Sequence, residues 1–268
     1  MNESEIRPAH DVKPGTLSDK GPEGNPFAVE PTARRQMLLE IVVDNSGSMN
    51  GQKIAAVNEV MKDISQFVGD FSVSNPDAEI KMNVLIFSDG ARWMYPDPVS
   101  ADQFKWVDLT AGGGTDFAAA SVELERRFHR SADMGNPAGN YAPSVILLTD
   151  GEFNYGWEEM FDKTLLRNKW YGIALKRAVA IGNDAVTESL AKVTGSIERV
   201  ITVHNLEALK EVLRLTTKGI STIGSTSALT GSGSKDDQLT AAIKDGVDDV
   251  DGANMASDPV AHIEDEWD

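Results

Sequence analysis

The chain has 268 residues, 41% of them hydrophobic and 25% charged, an ordinary globular composition that excludes wholesale disorder. It contains no cysteine, which excludes disulfides, thiolate metal sites and cysteine nucleophiles together. A formal charge of −17 excludes a general affinity for nucleic acid, whose phosphates it repels, and points to cations or basic protein surfaces as partners.

Residues 1–33 hold Pro8, Pro14, Pro22, Pro26 and Pro31 among several glycines, with neither a strand nor a helix period, and predict an extended Pro/Gly-rich arm. They show no apolar signal segment, and no run in the chain approaches the roughly 18 apolar residues that span a bilayer. A cytoplasmic protein without membrane contact is expected. Met37–Val43 is apolar almost throughout, as in a strand covered on both faces. After a turn-rich DNSGSMNG, the positions Ile54, Val57, Val60, Met61, Ile64, Phe67 and Val68 mark one buried helix face. Strands are predicted at Ile80–Phe87, Ala91–Met94 and Phe104–Leu109, the last two short enough to suit a sheet edge. A helix over Phe117–Phe128 follows TAGGGTDF, and a strand at Val145–Leu148 ends at TDGEF. Next come a helix at Glu158–Arg167, a strand at Leu175–Ile181, and a helix capped by Asp184 that stops at Gly195. Val200–Val203 is the last predicted strand, and Asn205 caps a final helix.

Strands alternating with helices predict an α/β fold: a doubly wound, mostly parallel open sheet with one antiparallel edge strand, spanning residues 34–220. A Gly/Ser/Thr linker is expected at 221–235 and an acidic tail at 236–268. From Ser232 onward eleven acids face only Lys235 and Lys244. Val260, Ile263 and Trp267 stand near its end as apolar anchors for a short recognition motif.

In an open parallel sheet, ligands sit beyond the carboxyl ends of the strands, where the strand order reverses. That rule selects the loops DNSGSMN and TDGEF, and TAGGGTDF joins them from the sheet edge. Together they offer Asp44, Ser46, Ser48, Thr115 and Asp150, all hard oxygen ligands with two carboxylates among them. Such a set suits Mg²⁺, with Mn²⁺ or Ca²⁺ as substitutes, and excludes softer metals. A cation held mostly by neutral hydroxyls keeps its attraction for one more anionic oxygen, such as an Asp or Glu carboxylate of a protein partner. Asn50, Asp116, Glu152, Tyr155 and Trp157 are expected to rim the site and face that partner. For Asp116 and Glu152 helix-dipole and turn roles compete, and for Trp157 core packing does.

DNSGSM (Asp44–Met49), GGGT (Gly112–Thr115) and LLTDGE (Leu147–Glu152) resemble the three parts of a metal-ion-dependent adhesion site in a von Willebrand factor A domain. Asp44, Ser46, Ser48, Thr115 and Asp150 match that motif position by position. ARRQMLLEIVVDNSGSMNGQKI and RAVAIGNDAVTESLAKVTG are similar to the TerY branch of bacterial A domains, linked to tellurium resistance. That resemblance implies a scaffold or regulator in a stress-response phosphorylation system (tellurite, chemical stress or phage defence), with a Ser/Thr kinase and a PP2C-type phosphatase as partners. It also implies Thr222, Ser225 and Ser227 as kinase targets.

Catalytic residues are not expected. Ser46 stands where a haloacid-dehalogenase-type phosphatase needs its second aspartate, and a hydroxyl cannot act as that general acid. The four histidines are scattered without metal-ligand spacing. The alternatives to an interaction module are a metal-dependent phosphohydrolase and a metal-free adaptor acting through the acidic tail.

Overall fold

The computed structural model describes residues 34–129, 140–182, 185–225 and 234–256. In chain order these form β1 (Arg35–Asp44), α1 (Gln52–Ser74), β2 (Ala78–Phe87), β3 (Ala91–Trp93), β4 (Val99–Ser100), α2 (Phe117–Arg127), β5 (Ser144–Thr149), α3 (Trp157–Lys163) and α4 (Lys169–Ile173). They continue through β6 (Leu175–Ile181), α5 (Thr187–Thr194), β7 (Val200–Val203), α6 (Leu206–Gly224), α7 (Lys235–Val247) and β8 (Ala253–Met255). The sheet runs β3-β2-β1-β5-β6-β7-β8, with β4 also paired to β2. β2, β1, β5, β6 and β7 are mutually parallel, and the antiparallel strands β3, β4 and β8 sit at the edges.

The parallel strands read as unbroken apolar runs because both of their faces are covered. Met37, Leu39, Ile41 and Val43 of β1 join the core made with α1, α6 and α7. Leu38 and Val42 point the other way, into a core with Phe117 and Leu124 of α2, Phe161 of α3 and Leu190 of α5. The predicted apolar face of α1 is the buried one, with Val57, Val60, Met61 and Val68 fully enclosed. Asn205 caps α6 as its position suggested, accepting a hydrogen bond from Ala208 N.

Three expectations are corrected. Phe104–Leu109 is not a strand. Asn58 on α1 takes over the backbone groups of Leu109, its Oδ1 accepting from the amide and its Nδ2 donating to the carbonyl, so the segment lies along the helix. The helix expected at Glu158–Arg167 breaks at Thr164, passes through a 3-10 turn and resumes as α4, started by the Asn168 side chain. The largest change concerns the acidic segment, whose residues 235–255 build α7 and β8 into the same fold.

Leu239, Ile243 and Val247 of α7 are buried in the core shared with α6, and β8 pairs with β7 from Ile201 to Val203. Spacing of i, i+4, i+8 gives α7 one apolar stripe, while Asp237 and Asp245 are exposed. Ser234 and Asp237 close a reciprocal capping box at its start. The segment is pinned by charge as well. Arg177 of β6, with a fully buried side chain, reaches Asp236 Oδ1 at 2.8 Å, and Arg199 Nε reaches Asp236 Oδ2 at 2.8 Å.

Of the hydroxyls implied as phosphorylation targets, Thr222 lies in α6. Ser225 is buried, accepting from Asn75 Nδ2 and donating to Ser221 O, which removes it from the reach of a kinase. Ser227, Asp184, Val260, Ile263 and Trp267 fall outside the described residues. No described helix is long and apolar enough to cross a membrane.

A five-oxygen site at the sheet's switch point

The strand order reverses at β1. The chain leaves β1 for β2 on one flank and returns with β5 on the other. The loops after β1 and β5 therefore splay apart beyond adjacent strands and leave a crevice between them. Asp44 is the last residue of β1, and Asp150 follows the last residue of β5.

Hydrogen bonds draw the three loops together. Ser46 N donates to Asp44 Oδ1 (2.8 Å), and the Ser46 and Ser48 hydroxyls lie 3.0 Å apart. Gly47 N donates to Gly113 O (3.0 Å) and Gly112 N to Asn45 O (2.8 Å), seating the glycine loop against the first one. Asn154 closes the third side: its amide donates to Thr115 O, and its Oδ1 accepts from Thr115 N. Asp44, Ser46, Ser48, Thr115 and Asp150 thus lie on three mutually bonded loops at one end of the sheet.

Two glycines are required by this geometry. Gly113 has φ +84°, and a Cβ there would meet Asp89 Oδ2 at 2.6 Å. Asp89 itself orders the loop by accepting from Gly114 N at 2.7 Å. Gly151 has φ +88°, and a Cβ there would meet Val186 N and O at 2.9 and 2.8 Å. That contact is with backbone and cannot yield, so the turn that follows Asp150 tolerates only glycine.

The electrostatics are those of a cation site. Asp44 has no solvent exposure, and burial pushes its carboxyl up from 3.8 to about 6. Hydrogen bonds from the Thr149 hydroxyl (2.6 Å) and from Ser46 oppose the rise, and the neighbouring Asp150 adds to it. Both Asp150 carboxylate oxygens are buried, and no hydrogen-bond donor among the described residues reaches them. Lys53 of α1 brings an opposite charge, its Nζ 3.7 Å from Oδ2. A buried carboxylate without donors is costly unless a cation meets it. Orphaned carboxylate oxygens, a second buried acid and three hydroxyls fit a hard dication of the Mg²⁺ class. Among the described residues no group of three or more His, Cys, Asp or Glu is placed to hold a metal. A site built on hydroxyls with two acids is not of that kind.

The expected rim divides. Asn50, Glu152 and Tyr155 are exposed, Tyr155 fully so. Asp116 instead caps α2, its side chain accepting from Ala119 N. Trp157 is corrected to a largely core position. Only 5% of it is exposed, and its ring packs on Phe117, Phe153 and Phe161. Four residues that hold the site were not anticipated: Lys53, Asp89, Thr149 and Asn154. Thr149 alone had a signal, as the residue before Asp150 in TDG.

Protons compete for Asp44, which sets an expected pH dependence. Mg²⁺ affinity should hold above about pH 6 and weaken about tenfold for each pH unit below it, a trend that calorimetric titrations across that range will read. An affinity constant down to about pH 4 would contradict a role for Asp44 as a ligand.

The family of the von Willebrand factor type A domain matches residues 39–215. Among solved structures, a von Willebrand factor type A protein from Catenulispora acidiphila is 21% identical with a TM-score of 0.53, over 68% of this chain and 42% of that one. The pilus adhesin SpaC from Lactobacillus rhamnosus GG, in an open conformation, is 13% identical with a TM-score of 0.53, over 72% and 31%. Proximal thread matrix protein 1 from the mussel byssus, solved with a zinc-occupied MIDAS motif, is 19% identical with a TM-score of 0.51, over 68% and 47%. At these identities the likeness is one of fold, and the chain spans less than half the length of each. No curated protein sequence matches the chain.

Proposed function

Because the chain belongs to the von Willebrand factor type A domain family, we propose that its five-oxygen site is a metal-ion-dependent adhesion site and that the protein binds a partner's carboxylate there. One observation carries this reading: Asp150 is buried with both oxygens lacking donors, beside a second buried acid and the paired hydroxyls of Ser46 and Ser48. Asp44, Ser46, Ser48, Thr115 and Asp150 would hold the ion, Mg²⁺ first, with Mn²⁺ or Ca²⁺ as substitutes. When bound, a dication there supplies a position open to one more anionic oxygen. The chain's own groups prepare it. Thr149 and Ser46 N fix both oxygens of Asp44, Gly113 fixes the glycine loop, and Asn154 fixes Thr115. A zinc-occupied motif of this kind occurs in the mussel protein of similar fold, which supports the metal without choosing it.

The module acts as an interaction scaffold rather than a catalyst. The segments ARRQMLLEIVVDNSGSMNGQKI and RAVAIGNDAVTESLAKVTG favour a TerY-like stress-response phosphorylation system, with a kinase or phosphatase as partner. An adaptor working through a free acidic tail is disfavoured, since residues 235–255 of that tail belong to the fold.

Affinity capture from native lysate tests the reading. The wild-type chain in Mg²⁺ should retain a partner that both a chelator and Asp44→Ala release, while neither preparation hydrolyses aryl phosphates. A partner retained equally in all conditions would contradict a metal-dependent module. Chelator-sensitive phosphate release would establish the hydrolase instead.

A further inference from the structure

The stretch from α3 into α4 ends two residues before β6 begins, at the end of the sheet remote from the five-oxygen site. Six large hydrophobic residues are exposed among the described residues, and three of them, Met160, Leu166 and Ile173, fall in this stretch. Leu166 is 60% exposed and Ile173 59%, whereas their neighbours Leu165 and Tyr171 are anchored in the core. The charges around them are unevenly matched. Lys163 is taken by Glu159, and Asp162 by Lys192 of α5. Arg167 and Lys169 are exposed and make no ion pair among the described residues. Single exposed hydrophobics are ordinary, but three beside two unmatched cations form a surface that suits a segment both acidic and apolar. We propose that this face is covered by the chain's own residues 257–268.

Composition and route both favour that occupant. The segment holds Asp258, Glu264, Asp265, Glu266 and Asp268 with Val260, Ile263 and Trp267 among them, and neither lysine nor arginine. β8 runs antiparallel to β7, and Ala256 donates its amide to Val200 O, so the chain leaves the sheet where β7 begins. Val200 stands level with Ala178 of β6, five residues after Ile173. Ala256 packs against the core layer that holds Leu165 and Tyr171, which puts the exit on the same side of the sheet. Two strand spacings and five residues of chain separate Ala256 from Ile173 by at most about 30 Å. Trp267 comes eleven residues after Ala256 and reaches about 36 Å when extended, enough to lie across the face.

Tethering makes weak contacts sufficient. A link this short gives an effective concentration of about millimolar, so a contact with a dissociation constant of about 100 μM keeps the face covered. A separate acidic protein must exceed that concentration to displace it. Reversing both cations should weaken docking roughly tenfold, and salt should weaken it in the unaltered chain.

The absence of cysteine allows a direct test, because Ala261→Cys in the full chain gives a nitroxide label one attachment point. The amide resonances of Leu166–Ile173 should lose most of their intensity to the label, and that of Tyr155, beside the five-oxygen site, none. Adding Arg167→Glu and Lys169→Glu should restore them, and these positions are exposed, so the fold is retained. Adding Glu264→Lys, Asp265→Lys and Glu266→Lys to that chain should bring the loss back, which only a charge contact between the two segments explains. Mg²⁺ affinity should be the same in every variant, so this docking stands or falls apart from the carboxylate-docking reading. Amides that keep their intensity, or a loss that the two glutamates leave unchanged, overturn the proposal. Loss in an unlabelled chain mixed with a labelled one would assign the segment to a second copy and overturn it as well. If only phosphatidylserine vesicles affect those amides, the face meets lipid and the proposal falls.

Discussion

Asp44→Asn is expected to raise the dissociation constant for Mg²⁺ at least about a hundredfold and, in the same protein freed of metal, to raise the melting temperature at about pH 8 by about 5 °C. The two effects have one origin. Asp44 is fully buried, and burial is the largest reason its carboxyl rises from 3.8 to about 6. A group that holds its proton more tightly folded than unfolded makes stability fall with rising pH. The fall runs between about 4 and about 6, and above that window the metal-free fold carries the full cost of the ionised carboxylate. The rise corresponds to about 3 kcal/mol, of which the neutral amide recovers about half. Asparagine removes the charge but keeps an oxygen where Ser46 N donates. Its amide meets the Thr149 hydroxyl, which rotates from donor to acceptor. A metal-free melting temperature lowered by Asp44→Asn would show that the carboxylate is structural rather than held strained for a cation.

Asp236→Ala should destabilise the chain by about 3 kcal/mol, lowering the melting temperature by about 10 °C without changing Mg²⁺ affinity. Arg177 is enclosed, with no exposed side-chain surface, and burial holds it below its ordinary range against the stabilising pull of Asp236. Asp236 also receives Arg199, and Lys176 lies close enough that burial and both arginines push it down to about 8. Removing the one acid leaves a buried guanidinium facing two other cations. Replacing both partners, Arg177→Met with Asp236→Leu, should recover part of the loss, because a well-packed apolar pair needs no counter-charge. Denaturant titrations of the three variants read these differences. A loss below about 0.5 kcal/mol for Asp236→Ala would mean that α7 does not depend on this contact.

What was legible in the sequence follows from how far each signal reaches along the chain. β6 and β7 fall at their predicted bounds because each is one apolar run covered on both faces, and α1 shows its buried face through spacing alone. Asp44, Ser46, Ser48 and Asp150 stand in turn motifs at the ends of β1 and β5, where the switch-point rule points, and Thr115 joins them from the glycine loop. α7 was hidden by its charge. The eleven acids from Ser232 onward outweighed Leu239, Ile243 and Val247, although Ser234 and Asp237 already spelled a capping box. β8 has only three residues and no pattern of its own; it exists because β7 offers an open edge. Lys53, Asp89 and Asn154 support the site through contacts across loops, which leave no local signature in the sequence.

Crystals grown with Mn²⁺ in place of Mg²⁺ put the account to its most direct test, because anomalous scattering locates the ion without assuming its ligands. The account predicts one strong peak in the crevice between β1 and β5, with Ser46, Ser48 and Thr115 hydroxyls and the Asp44 and Asp150 carboxylates around it, and its loss in Asp44→Ala crystals. A peak elsewhere, or none in crystals that diffract well, would contradict it.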